Sequence, residues 1–289
     1  MVGINKTNPL VSCIIPTKNR PSLVTRAIQS VLGQSYHNIE IIVVDDSTND
    51  ETQKSLTSLG GQIRYIKNEK SRGASYSRNI GLNEARGGAI AFLDDDDIWL
   101  QKKIEMQIAL IKLFPIVSCN YIKRIRGGRQ YVKLPRTVSY ENILYYNYLG
   151  SCSFLIFDAE VIRGCFFDED LRVGQDWDFV ISVMKKNRIK EAGVADGYLV
   201  EYNSGAHSRI SNRVESILAV LPIFEKYRMD HNDFTTFMFF LYNMVPSGSG
   251  GSSLLWLFKE LIKAKMKKKE YTFVFKTILK RLFGRIEIY

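Results

Sequence analysis

No stretch of this 289-residue chain is apolar for long enough to span a bilayer, and its four cysteines form no Cys-X-X-Cys pair. The first absence argues against a transmembrane helix. The second, together with an opening Met-Val-Gly-Ile-Asn-Lys that has no apolar signal core, predicts reduced thiols in a cytoplasmic protein, not a disulfide framework. No GxGxxG or GxxxxGK[ST] follows a strand-like segment, which argues against a Rossmann dehydrogenase and a P-loop enzyme. No repeat of fixed period is present either, so solenoids and propellers drop out.

What is present is a globular composition, with 45% hydrophobic residues, enough to bury a core. The formal charge of +10 is uneven: residues 256–289 hold ten Lys/Arg against three Glu, leaving +3 for the other 255 residues. Basicity therefore reads as a property of the tail. That tail follows Pro246-Ser247-Gly248-Ser249-Gly250-Gly251-Ser252-Ser253, a linker or long loop and the best boundary in the chain. The division is a main domain at 1–245, a linker at 246–253 and a basic amphipathic helical extension at 254–289.

A strand-like run, Ala89-Ile90-Ala91-Phe92-Leu93, feeds directly into four carboxylates, Asp94, Asp95, Asp96 and Asp97. Adjacent negative charges are tolerable when solvated, paired with bases or neutralised by a divalent cation, and hard oxygen ligands suit Mg²⁺ or Mn²⁺. Upstream, 11–16, 40–44 and 63–66 read as strands, and 22–32, 51–59 and 74–85 as helices. This βαβαβαβ order predicts an α/β fold, a mostly parallel sheet flanked by helices, with a nucleotide-binding half at about 1–115 and a second half at about 116–245.

Three strand ends carry polar residues: Pro16-Thr17-Lys18-Asn19-Arg20, then Asp45-Asp46-Ser47-Thr48-Asn49-Asp50, then the acidic run. Asp50 reads as an N-cap for the helix starting near Glu51, but capping explains only one Asp. Asp45 or Asp46 could accept hydrogen bonds from a nucleobase or ribose at the carboxyl end of a strand. With no glycine-rich phosphate loop, a cation on the acidic run is the available means of holding a diphosphate. Nucleotide plus metal is the economical reading.

Ile15-Pro16-Thr17-Lys18-Asn19-Arg20, Val43-Val44-Asp45-Asp46-Ser47-Thr48-Asn49-Asp50, Gly73-Ala74-Ser75-Tyr76-Ser77-Arg78-Asn79-Ile80-Gly81 and Phe92-Leu93-Asp94-Asp95-Asp96-Asp97-Ile98-Trp99 together resemble the successive signatures of family 2 glycosyltransferases. These enzymes have the Rossmann-like GT-A fold and use nucleotide-activated sugars. The likeness spans about residues 10–100 and runs more loosely to about 212. It implies nucleotide contacts from Pro16, Thr17, Asn19, Arg20, Asp45, Asp46 and Arg78, with Thr17 and Asp45 lining the nucleobase pocket and Asp46 beside it. Asp94-Asp95-Asp96 corresponds to the DxD element: Asp96 is the metal ligand, and Asp94 or Asp95 meets the ribose or metal-bound water. Asp97 is assigned to the start of the following helix.

The family's general base lies in an acidic pair opening a helix in the second half. Val173-Gly174-Gln175-Asp176-Trp177-Asp178-Phe179 occupies that place, so Asp176 is the expected base and Asp178 the reserve. His207 resembles the family's late histidine, which joins the metal shell or meets the diphosphate, and Arg209 and Arg213 could contact phosphate on similar logic. No QxxRW follows, which argues against a processive synthase.

The resemblance implies inverting, metal-dependent transfer from a nucleotide sugar, UDP favoured, to a saccharide or lipid-linked acceptor, in building a bacterial surface polysaccharide such as an O-antigen or capsule. Acceptor contacts are expected from 119–129 and 140–148. The tail, with Trp256 and Phe258 among lysine clusters, predicts peripheral attachment to an anionic membrane at the inner face of the plasma membrane. Two other classes remain: a metal-dependent nucleotidyltransferase, which would release pyrophosphate, and a nucleic-acid-binding module. Little excess charge lies outside the tail and no such motif is present, so no nucleic acid is expected as a partner.

Overall fold

The computed structural model describes residues 8–59, 63–203, 220, 222–230 and 232. The chain divides into two compact units, 1–140 with 148–209, and 141–147 with 210–289.

The first unit opens with β1 (Val11–Thr17), α1 (Pro21–Leu32), β2 (Ile39–Asp45), α2 (Glu51–Leu56), β3 (Ile63–Lys67), α3 (Ala74–Glu84) and β4 (Ala89–Phe92). Every residue of β1 and β4 is buried, as strands covered by helices on both faces require. Pro21 begins α1, where its fixed φ suits the first turn, and Val24, Ala27, Ile28 and Val31 form the buried stripe.

The second stretch holds β5 (Ile98–Trp99), α4 (Lys103–Ile111), β6 (Ile116–Ile125), β7 (Gly128–Val132) and β8 (Thr137–Ser139). After α5 (Tyr140–Tyr145) come β9 (Ile156–Asp158), α6 (Ala159–Ile162), α7 (Gln175–Asn187) and β10 (Glu191–Asn203). The strand order is β3-β2-β1-β4-β9-β6-β10-β5, with β7 on β6 and β8 on β10. Strands β1 to β4 run parallel, while β9 pairs antiparallel with both β4 and β6.

Two crossovers carry the chain to one side of β1 and the third returns it to the other, so a crevice opens between the carboxyl ends of β1 and β4. On one face of the sheet Val11, Cys13, Ile15, Ala91 and Leu93 pack with Val24, Ile28, Ile104 and Phe154. On the other, Phe92 meets Phe157, Phe167 and Phe179 edge-on at 5.2–6.1 Å, and Phe167 stacks on Phe179 at 3.9 Å. This aromatic cluster seats the first turns of α7 beside the end of β4. Helix α3 lies close on β1: a Cβ at Gly81 would stand 2.3 Å from the Ile14 side chain.

Two local expectations are corrected. Asp50 occupies the N-cap position of α2 without a capping hydrogen bond, because its carboxylate is drawn into an ion pair with Lys67. Asp97 does not begin a helix: β5 follows it, and α4 starts only at Lys103. All four cysteines are free and buried. Among the described residues no helix is long and apolar enough to cross a membrane.

In the second unit, Val220, Ile223, Phe224 and Tyr227 are buried, and Asn232 Nδ2 donates to Glu141 Oε1 at 3.2 Å. The linker and extension at 246–289 lie outside the described residues.

Candidate active site

The acidic run begins two residues beyond the end of β4, at the mouth of the crevice. Thr17, the last residue of β1, donates from Oγ1 to Asp95 Oδ2 at 2.8 Å, and Arg20 Nη1 reaches Asp95 Oδ1 at 3.0 Å and Asp96 Oδ2 at 3.8 Å. The chain turns between them through Asn19, at φ 54°, a left-handed conformation that asparagine tolerates. The Asn19 N–H donates to Ser47 Oγ at 2.6 Å, and Ser47 in turn donates to Asp45. The ends of β1 and β2 are thereby tied together.

Asp94 is held from three sides. Its N–H donates to Ser153 Oγ at 3.0 Å, Ser151 Oγ donates to its Oδ2 at 3.3 Å, and Arg78 Nη2 pairs with its Oδ1 at 2.6 Å. Arg78 comes from α3, is 7% exposed, and also extends Nη1 to Gln175 Oε1 at 3.5 Å. Its Nε is buried without a partner among the described residues. One guanidinium thus brings the acidic run and the first turn of α7 together.

The four carboxylates differ in environment. Asp95 and Asp97 are 6% and 1% exposed, while Asp96 keeps a quarter of its side chain open to solvent. Burial, then repulsion from Asp94 and Asp95, pushes the Asp96 carboxyl up to about 6, with Arg20 pulling the other way. Asp97 Oδ1 accepts from the Asn203 N–H of β10 at 2.9 Å, its Oδ2 is buried without a partner among the described residues, and burial raises its carboxyl well above the usual range. Asp96 accepts no side-chain hydrogen bond among the described residues and, unlike Asp97, stays open to solvent.

This donor set would meet a divalent cation through a single carboxylate. Among the described residues no three His, Cys, Asp or Glu converge, so the protein would supply one carboxylate, Asp96, and substrate phosphates and water would complete the shell, as Mg²⁺-type sites permit. His207, Arg209 and Arg213 lie outside the described residues.

Asp45 is fully buried, accepting from the Ser47 N–H at 2.9 Å and from Tyr65 OH at 2.7 Å. Asp46 accepts four bonds at 2.7–3.0 Å: from Asn68 Nδ2, Ser71 Oγ and the N–H groups of Arg72 and Gly73. Burial opposes its charge, but those donors hold its carboxyl below the usual range. Asp46 is thus the hub of the 68–73 loop that leads into α3 and Arg78. Replacing it with alanine strands these donors and is expected to cost about 3 kcal/mol of stability, read by chemical denaturation.

Helix α7 begins after Gly174, at φ 74°, and carries Asp176 and Asp178 in its first turn, where the helix dipole favours negative charge. Asp176 is half-buried and accepts from the Trp177 N–H at 2.8 Å. Burial pushes its carboxyl up to about 6, and Arg78 offsets part of that. Asp178 is 1% exposed and so more deeply buried than Asp176.

Sequence reasoning missed the supports. Ser151 and Ser153 lie far from Asp94 in the chain, and no local pattern marks them. Trp99 donates to Ser153 O at 2.9 Å, and buried Lys103 stands 4.1 Å from its ring centre.

Residues 12–169, more than half the chain, match the sequence profile of glycosyl transferase family 2. The chain belongs to that family. This family 2 glycosyltransferase is 30% identical over 219 residues to the Escherichia coli UDP-Glc:alpha-D-GlcNAc-diphosphoundecaprenol beta-1,3-glucosyltransferase WfgD, covering 72% of the chain and 82% of WfgD. It is 33% identical over 190 residues to the putative colanic acid biosynthesis glycosyl transferase WcaA of Escherichia coli K12, covering 62% of the chain and 67% of WcaA. The fold is shared with S. aureus TarS 1–349 in complex with UDP, at TM-score 0.63 and 19% identity, covering 90% of the chain and 76% of that structure. It is likewise shared with the mannosyltransferase PcManGT of Pyrobaculum calidifontis, in complex with GDP-Man and Mn²⁺, at TM-score 0.57 and 16% identity, covering 96% and 88%. The glycosyltransferase has the GT-A architecture expected from its strand-end signatures.

Proposed function

We propose that this enzyme transfers a sugar from a UDP-sugar, with inversion, to a hydroxyl of a lipid-linked saccharide during surface polysaccharide assembly. The observation that carries the reading is the Arg78 bridge between Asp94 and Gln175, which puts a donor-side acidic run next to a helix-borne carboxylate, Asp176. WfgD, by its name, takes UDP-Glc as donor and a diphosphoundecaprenol-linked GlcNAc as acceptor, which supports the substrate classes.

In this reading Pro16, Thr17, Asn19 and Asp45 form the nucleobase seat, with Asp46 fixing the loop behind it. Arg20 and Arg78 face the diphosphate, where a guanidinium pairs with phosphate oxygens. Asp94 and Asp95 orient the ribose or bound water. Mn²⁺ or Mg²⁺, held by Asp96 and joined by His207, would offset the charge that develops on the departing diphosphate. Asp176 takes the proton from the acceptor hydroxyl on the far side of the sugar, so a single displacement inverts the anomeric carbon. The 254–289 extension places the enzyme on the cytoplasmic face of an anionic membrane.

A thermal-shift screen of the full chain against UDP-, GDP- and TDP-sugars with Mn²⁺ tests the donor. A saturating UDP-sugar should raise the melting temperature by about 5–10 °C at a hundredfold excess over Kd, and the others by less. Incubation with a lipid-diphosphate GlcNAc acceptor should then release UDP. A shift only with GDP- or TDP-sugars, or release of pyrophosphate, refutes the reading.

A further inference from the structure

We propose that the β6–β7 hairpin is a docking surface for the anionic phospholipid headgroups of a membrane. Between Ile116 and Tyr140 the chain carries six basic residues and no acidic one. That local +6 exceeds the +3 net charge of everything outside the tail, so basicity is not a property of the tail alone.

The two strands pair from Tyr121 opposite Val132 to Ile125 opposite Gly128 and close through Gly127 at φ 91°, a left-handed turn that suits glycine. Every residue from Ile125 to Tyr131 is exposed. Ile125 and Tyr131 stay 45% and 59% open, and Tyr131 meets the exposed Tyr198 ring edge-on at 5.1 Å. Arg124 and Arg129 both pair with Glu201, at 2.5 and 2.9 Å, two cations on one carboxylate. Lys123 and Arg126 have no carboxylate partner among the described residues, so the tip stays positive.

The hairpin also stands where a membrane contact has a use. Val117 of β6 pairs with Ile156, which pairs with Ala91 of β4, so these residues lie level across the sheet. Ile125 is eight residues past that level, roughly 26 Å, on the edge where the acidic run begins only three residues past it. The tip therefore reaches well beyond the mouth of the site.

Cations beside exposed aliphatic and aromatic groups match an anionic bilayer interface, where lysine and arginine meet phosphate and the apolar side chains enter the boundary. A two-stranded tip is small beside the ~800 Å² per partner of a stable protein interface, whereas a bilayer demands no matching shape. The surface does not rest on the identity of the donor; only its purpose, turning the site toward a lipid-borne acceptor, rests on the proposed function.

The test is co-sedimentation of the full chain with vesicles of phosphatidylcholine, with and without phosphatidylglycerol. Wild type should bind the anionic vesicles, weakly at high salt, and not the neutral ones. The Lys123→Gln/Arg126→Gln variant should lose about 25-fold in partition, about fivefold per charge. Arg126→Gln alone, at the exposed turn, should lose about fivefold and covers the case in which the double variant misfolds. An unchanged circular dichroism spectrum and melting temperature certify the fold. Undiminished binding by both variants, equal binding to neutral vesicles, or a loss seen only against oligonucleotides or acidic proteins would overturn the proposal.

Discussion

Asp96→Ala is expected to lower transfer at least a thousandfold, about 4 kcal/mol of transition-state stabilisation, while leaving the fold intact. The reason lies in how differently the run treats its members. Asp94 and Asp95 are locked to Arg78, Thr17 and Arg20, whereas Asp96 has only a 3.8 Å approach from Arg20 and an open edge. Its carboxyl, pushed up to about 6 in the folded chain, is a charge under repulsion. The sign follows: a carboxyl raised above its unfolded value costs nothing below that value and costs stability as pH climbs through 6. Without added cation at neutral pH the alanine variant should therefore be as stable as wild type or more so, by about 1 kcal/mol. Added Mn²⁺ should raise the melting temperature of wild type and not of the variant. A stability loss with metal response retained would remove Asp96 from the donor site.

Asp176→Asn should lower kcat by about a thousandfold and leave the UDP-induced thermal shift unchanged, because the amide keeps the shape and loses the base. The pH profile offers an independent reading. A base must be ionised to accept a proton, so a carboxyl lifted to about 6 predicts a wild-type rate that climbs between pH 5 and 7, with a midpoint near 6. In Asp176→Asn the residual rate should lose that limb. If the limb persists, the titrating group lies elsewhere, and transfer by Asp178→Asn would show whether the next carboxylate on α7 is responsible.

The first half of the fold was legible because continuous apolar runs such as Ile41–Val44 belong to strands covered on both faces, and each ends in residues a core rejects. The second half was not. Strand β9 is only three residues long and β5 only two, too short to show any period, and both run against their neighbours. The Gly127-Gly128 pair between strand-like runs did mark a hairpin, and reading that segment only for acceptor contacts overlooked it. Among the aspartates, position was readable and partnership was not. Asp50 looked like a cap until Lys67, seventeen residues on, took its carboxylate, and nothing near Asp46 in sequence announced the 68–73 loop that folds around it. Local chemistry proposes several partners for a carboxylate, and the tertiary fold selects among them.

The acidic run draws its supports from along most of the described chain: Thr17 and Arg20 near one end, Arg78 and Ser153 in the middle, and the Asn203 N–H at the end of β10. Contacts so distant in sequence are the slowest to form, since a long loop must close before any of them stabilises the chain. During synthesis, a ribosome-bound chain still lacking β10 leaves Asp97 without its anchor and β5 without its partner strand. The last support of the acidic run therefore forms only once β10 has been made.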